Sequence, residues 1–203
     1  MHDPYKDLVR NILGICRQWD GHILRFQQAT DIRCPRGCGI CCESRFVEAT
    51  VLECLPLADA ISCRGEAEKT LSAIEERSDQ GDPRCVLCRS EGGSPGTGMC
   101  AYYPYRVLVC RLFGFSTRRN RRGERELCLC RVLRERNPEA AACLNGKNDV
   151  VFLLPVYQDS FMRIATLGPA MDARLLPINE ALRQALEYIL WKAPRKKGYR
   201  RAA

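Results

Sequence analysis

Four cysteines stand within nine residues in the segment Cys34-Pro35-Arg36-Gly37-Cys38-Gly39-Ile40-Cys41-Cys42. Cys41 and Cys42 are adjacent, and adjacent cysteines rarely bond to each other, because a disulfide needs a Cβ geometry that an ordinary trans peptide does not offer. Thiols this close suit a soft cation that takes several thiolates at once, and both zinc and iron–sulfur clusters answer to that description. Pro35, Gly37 and Gly39 leave the backbone free to wrap around such a centre. Thiolates two residues apart can grip one ion from a tight turn, and thiols from a distant segment can close the site. Downstream, Cys85-Val86-Leu87-Cys88 and then Cys100 and Cys110 supply such a segment.

The rest of the chain narrows the chemistry. There are two histidines, His2 and His22. His2 belongs to the terminus and His22 to an amphipathic helix, which argues against a mixed Cys/His zinc finger and against a Ser-His-Asp triad. The N-terminus has no basic stretch followed by an apolar run, so no signal peptide is expected. No apolar stretch is long enough to span a bilayer, so no membrane partner is expected. A cytoplasmic location follows, and there clustered cysteines serve as metal ligands or redox groups more often than as structural disulfides. The formal net charge of +8 counts thiols as neutral. Ligating thiolates would lower it, so it argues only weakly for nucleic acid.

The cysteine blocks resemble the YkgJ-like cysteine-cluster family, a zinc- or iron-chelating domain with a CxxCxxCC signature. Cys38, Gly39, Cys41 and Cys42 fit its first block. Gly98, Cys100, Tyr103, Arg106, Cys110 and Arg111 fit the second, and Cys85 takes the place of the cysteine that opens its Cys-Pro-x-Leu step. The chain departs in three places: Cys34 stands four residues before Cys38 rather than three, Val107 replaces a proline, and Cys88 occupies a leucine position, which makes it an extra candidate. The resemblance spans about residues 34 to 115. Together with the spacing it implies a metal centre of Cys34, Cys38, Cys41, Cys42, Cys85, Cys100 and Cys110. Zinc closes its site with four ligands, so the surplus favours an iron–sulfur cluster or two metal ions, with zinc still open. Arg106 and Arg111 would offset the negative charge of such a cluster and lower the thiol pKa values, or else serve as surface or core-bridging arginines. Cys128, Cys130 and Cys143 lie outside the matching blocks and rank second.

The elements that must position these groups read as helices. Tyr5, Leu8, Ile12, Cys16, Trp19, Ile23 and Phe26 recur at three- and four-residue steps, which predicts a helix over 3–26 capped by Asp3, with Cys16 as a small buried hydrophobe. Thr50 and Glu53 form a capping box for a helix running to about Ser62, bent at Pro56, with Cys54 and Cys63 in its packing. Further helices are expected over 66–78, 124–136 and 155–167, and from Pro177 onward. Residues 79–98 are expected to be loop; with no Gly-Lys-Ser/Thr ending they are not a phosphate-binding loop. The run 150–154 could be helix or strand. The expected fold is a mostly α, single irregular helical domain over 1–194, organised around the cysteine-rich metal site with little or no β-sheet, followed by a basic tail over 195–203.

Two other functions compete with a metal-binding role that is structural, electron-transferring or metal-handling. The same cysteine domain occurs in flagellin lysine N-methylases, so the resemblance permits a methyltransferase-related enzyme, although no glycine-rich nucleotide fingerprint follows a clear strand. Arg118, Arg119, Arg121, Arg122 and Arg125, with the basic tail, could instead contact nucleic-acid phosphates, although basic loops of this kind are more often simply solvated.

Overall fold

The computed structural model describes residues 4–89, 96–144, 149–168, 171 and 173–192. The fold is mostly helical, with three short two-stranded ladders. The longest helix, α1 (Pro4–Thr30), buries Val9, Ile12, Cys16, Trp19, Ile23 and Phe26 on one face, as the periodicity predicts. It runs four residues past the expected end. Asp31 then takes a left-handed conformation (φ 56°) and stops it. Asp3, the expected cap, lies outside the described residues.

The capping box is present: Thr50 opens α3 (Val51–Cys63), and its hydroxyl accepts from the Glu53 amide at 3.1 Å. The helix continues through Pro56, which removes one backbone donor. Cys54 is fully buried, whereas Cys63 is exposed at the last turn and packs nothing. After α4 (Ala67–Asp79), the chain enters the cysteine-bearing hairpin β2 (Cys88–Arg89) and β3 (Met99–Cys100), so the expected loop over 79–98 contains a strand. A 3₁₀ turn (Tyr103–Tyr105) and the short helix α5 (Leu108–Leu112) follow.

The basic helix expected over 124–136 does not form as one piece. Its first part is strand β5 (Arg125–Cys128), antiparallel to β4 (Ser116–Arg119). A local turn decides this. The Asn120 side-chain oxygen accepts from the Arg122 and Glu124 amides, and Gly123 takes φ 78°. Such an Asn-to-Gly turn reverses the chain before a helix can start. Only α6 (Arg131–Arg136) remains helical, and Pro138 opens α7 (Pro138–Leu144) at its first position. The 150–154 run is neither α-helix nor strand but a 3₁₀ helix, Asp149–Leu153.

Helix α8 (Tyr157–Ala165) starts two residues after Pro155. Pro177 lies in the strand β6 (Leu176–Pro177), which pairs with β1 (Glu48–Ala49) immediately before α9 (Ile178–Lys192). Helix α9 lies along α3 and buries Ile178, Ala181, Leu182, Ala185, Leu186 and Ile189. These side chains join α1, α3 and α5 in one contiguous core, where Phe26 meets Phe115 edge-on at 6.4 Å. The basic tail lies outside the described residues. No described helix is long and apolar enough to cross a membrane.

Candidate metal centre

Four separate segments bring the cysteines together. Cys34 and Cys38 lie on a loop where Gly37 has φ 74°, and Cys41 and Cys42 lie on the four-residue helix α2 (Ile40–Glu43). This loop is stitched to the segment before Cys100: Gly39 N–H donates to Gly96 O at 2.9 Å, and Gly98 N–H donates to Gly37 O at 2.8 Å. The Glu43 carboxylate also accepts from the Gly96 amide, with both oxygens at 2.8 Å. Glycine at position 39 has a steric reason. A Cβ there would lie 3.1 Å from Gly98 N, 3.2 Å from Gly98 Cα and 3.3 Å from Thr97 C, all backbone atoms. Gly39→Ala is therefore expected to cost about 1–3 kcal/mol by overpacking, read as a lower thermal midpoint. An unchanged midpoint would mean that the two loops are not tightly docked.

Cys85 is tied to the same unit. Its amide donates to Cys42 O at 3.0 Å. The loop that carries it is clamped by Asn179 at the start of α9, whose Oδ1 accepts from Val86 N–H at 3.0 Å and whose Nδ2 donates to Arg84 O at 2.9 Å. Cys100 sits on β3, and Cys110 faces the site from α5.

All seven cysteines expected as ligands line one cavity of about 260 Å³. Its floor is apolar: Val47, Leu57, Leu87, Val107 and, from α9, Ile178 and Leu182. No aspartate, glutamate or histidine is among the lining residues, while Arg36 and Arg106 are. The donor set is thus thiols alone in an apolar, cationic setting, and it fits a soft, anionic metal–thiolate group. Among the described residues, no three histidine, cysteine, aspartate or glutamate side chains are already closed around a point that an ion could occupy. The thiols face a shared space, not a shared point.

Electrostatics divide these thiols. The Cys42 thiol donates a hydrogen bond to Cys41; with local backbone amides and the Arg106 charge, this lowers the Cys41 pKa against the pull of burial. Cys42 is correspondingly pushed up by Cys41 and by burial. Burial pushes Cys85 up to about 12 and raises Cys100 and Cys110. Cys34, the exposed member, is pushed up to about 12 by desolvation and by the neighbouring Cys38. Because the pKa values of Cys34, Cys85, Cys100 and Cys110 are raised, a metal entering the site would displace protons from them.

The two arginines of the second block part company. Arg106 lies flat on the Tyr103 ring (3.8 Å), lines the cavity and pulls down the pKa of Cys41 and Cys100. Arg111 is buried and turned away toward α1, where it pairs with Asp20 and donates to Pro104 O at 2.8 Å. Arg111 bridges the core, while Arg106 shares Asp20 with it, at 3.6 Å, and divides its charge between that carboxylate and the thiols.

The second-tier cysteines lie outside this cavity, with Cys130 near enough to Cys34 to act on its charge. Cys128 and Cys130 line a neighbouring cavity with Arg118, Arg134 and Tyr157, and Cys143 is exposed on α7. The basic run is largely engaged within the protein: Arg118 pairs with Glu126, Arg119 pairs with Asp159, and Arg125 stacks on Phe152, while Arg121 and Arg122 stand exposed at the turn. The roles of Asn179 and of the α9 floor carry no sequence signal, because they lie far along the chain from every cysteine they support. No family model, no curated protein and no solved structure matches this chain, so the likeness of the cysteine blocks rests on those residues themselves.

Proposed function

We propose that this is a metal-binding protein of the YkgJ-like, cysteine-cluster type. Thiolates of Cys34, Cys38, Cys41, Cys42, Cys85, Cys100 and Cys110 hold an iron–sulfur cluster, or zinc in its place. The observation that carries this reading is the single cavity lined by all seven thiols and by no carboxylate or imidazole. Seven thiols exceed what one tetrahedral zinc takes, and that surplus favours an iron–sulfur cluster or two metal ions. Arg106 supplies positive charge against the net negative charge of such a group. The apolar floor limits water and raises the strength of those interactions. A bound centre would supply cross-linking of four chain segments and, if iron–sulfur, one-electron chemistry; its role is structural, electron-transferring or metal-handling.

The test is elemental analysis with a visible spectrum on protein purified without oxygen. Iron and sulfide together with broad visible absorption is the expected result. Colourless protein with stoichiometric zinc would leave the thiol site standing as a structural zinc site. Protein that holds neither metal, and takes up neither on reconstitution, would overturn the reading.

A further inference from the structure

The hairpin of β2 and β3 sets two cysteines side by side that do not share the cavity. Cys88 and Cys100 are register partners on antiparallel strands. The Ala101 amide donates to Leu87 O at 2.8 Å, so the opposed pair 87/101 is the hydrogen-bonded one. Pairs alternate along an antiparallel ladder, which makes Cys88/Cys100 a non-hydrogen-bonded pair. At such positions the Cα atoms lie about 4.5 Å apart and the side chains stand on one face at closest approach. That separation is at the short edge of the range in which a disulfide closes. Cys100 lines the cavity, whereas Cys88 stands at its edge, with its thiol in hydrogen-bond reach of Cys42. Both are half-buried, so a small reagent can reach the hairpin.

We infer that Cys88 and Cys100 form a reversible cross-strand disulfide in the metal-free protein, and that this bond and the metal compete for the Cys100 sulfur. The oxidant class is a low-molecular-weight disulfide. The Cys88 thiolate attacks one of its sulfurs, forming a mixed disulfide and expelling one thiolate. The Cys100 thiolate then attacks the Cys88 sulfur and expels the second. Two protein thiols are oxidised to one disulfide, the reagent is reduced to two thiols, and the two cysteine protons pass to the departing thiolates. The hairpin is only half-buried, and accessible disulfides are among the readily reduced ones. Thiol reductants therefore reopen it. An empty centre keeps one ligand capped under oxidation and recovers it under reduction. The competition with metal rests on the reading of the cavity as a metal centre; the cross-link does not.

The experiment treats metal-free protein with oxidised glutathione, blocks the remaining thiols by alkylation and maps tryptic peptides. Cleavage at Arg84, Arg89 and Arg106 places Cys88 in peptide 85–89 and Cys100 in peptide 90–106. The expected result is a link between these two peptides, with loss of two hydrogens, that vanishes in Cys88→Ser and persists in Cys85→Ser. Cys88→Ala serves where serine disturbs the hairpin. Dithiothreitol should remove the link, and zinc-loaded protein should resist forming it. A link that survives C88S would assign the bond to Cys85, and a link from 85–89 to 37–45 would assign it to Cys38, Cys41 or Cys42; either result overturns the pairing. Cross-linked protein that takes up zinc as fully as reduced protein would overturn the competition. Reduced protein that takes up neither zinc nor iron would overturn the metal-centre reading and leave the cross-link result standing.

Discussion

Replacing Cys41 and Cys42 together by serine is expected to empty the centre and to lower stability by about 4 kcal/mol relative to the loaded protein. The figure is that of a ligand present at roughly a thousand times its dissociation constant and bound only by the folded chain. For a protein of this length it corresponds to a fall of roughly 10 °C in the thermal midpoint. The loss should not reach complete unfolding, because α1, α3 and α9 bury a large apolar core in which Cys42 is one side chain among many aliphatic and aromatic ones. The two cysteines lie at the junction of the site: α2 carries both, Cys85 is bonded to the Cys42 carbonyl, and the hydrogen bond from Cys42 lowers the Cys41 pKa. The measurement pairs metal analysis with thermal unfolding, with and without a chelator. Wild-type protein should lose stability to the chelator, and the double variant should be indifferent to it. Cys143→Ser, at an exposed position on α7, should match wild type in both respects. A double variant that keeps full metal and full stability would refute the assignment of the site. Because the thiols shed protons as the metal enters, wild-type affinity should also rise with pH.

What the sequence displays and what it hides follow from the range of the interactions. The stripe on α1 and the Thr50–Glu53 capping box depend on neighbours three or four residues apart, so their residues announce them. The cysteine loop is legible as a cluster for a similar reason: its four thiols stand within nine residues. The β4–β5 hairpin was obscured by the charge of its strands, because arginine and glutamate at 118, 119, 125 and 126 fit a polar helix equally well. The Asn120–Gly123 turn sets the reversal, and Thr117, fully buried with its amide donating to Pro155 O, adds a nonlocal contact that no spacing displays. The division of labour between Arg106 and Arg111 depends on which way each side chain leaves its turn: both reach Asp20 on α1, and only Arg106 also reaches the cavity. Cys88 illustrates the same limit. Its meaning comes from the residue across the ladder, and no spacing along the chain states that Cys88 faces Cys100.

Glu53→Gln is expected to stabilise the protein above pH 7 and to make little difference near pH 5. Glu53 is buried, at 4% exposure, and reaches back to the Thr50 amide and hydroxyl, which donate to its Oε1 at 3.4 and 3.1 Å. Burial raises its pKa from the ordinary 4.5 to about 7, against the downward pull of the Thr50 donors and the Leu108 amide. The sign follows from proton counting. Between pH 4.5 and 7 the folded state holds a proton that the unfolded state has released, so stability falls as pH rises through this window. Above pH 7 the carboxylate is charged in both states, and its burial costs folding about 3 kcal/mol. Glutamine keeps the shape and serves a capping box as glutamate does, but it carries no charge to desolvate. At pH 8 the variant should therefore unfold roughly 6–12 °C higher than wild type. The gap should close toward pH 5, where wild-type Glu53 is itself neutral in the fold. Thermal unfolding of both proteins in the same metal state, stepped from pH 5 to 8, reads the difference directly, and titration of the thiols cancels between them. A gap that is constant with pH would assign the effect to packing, and a variant less stable at every pH would show that the capping box requires the carboxylate. Either result would remove ionisation of Glu53 from the account of this core, where the carboxylate also raises the pKa values of the neighbouring Cys54 and Tyr157.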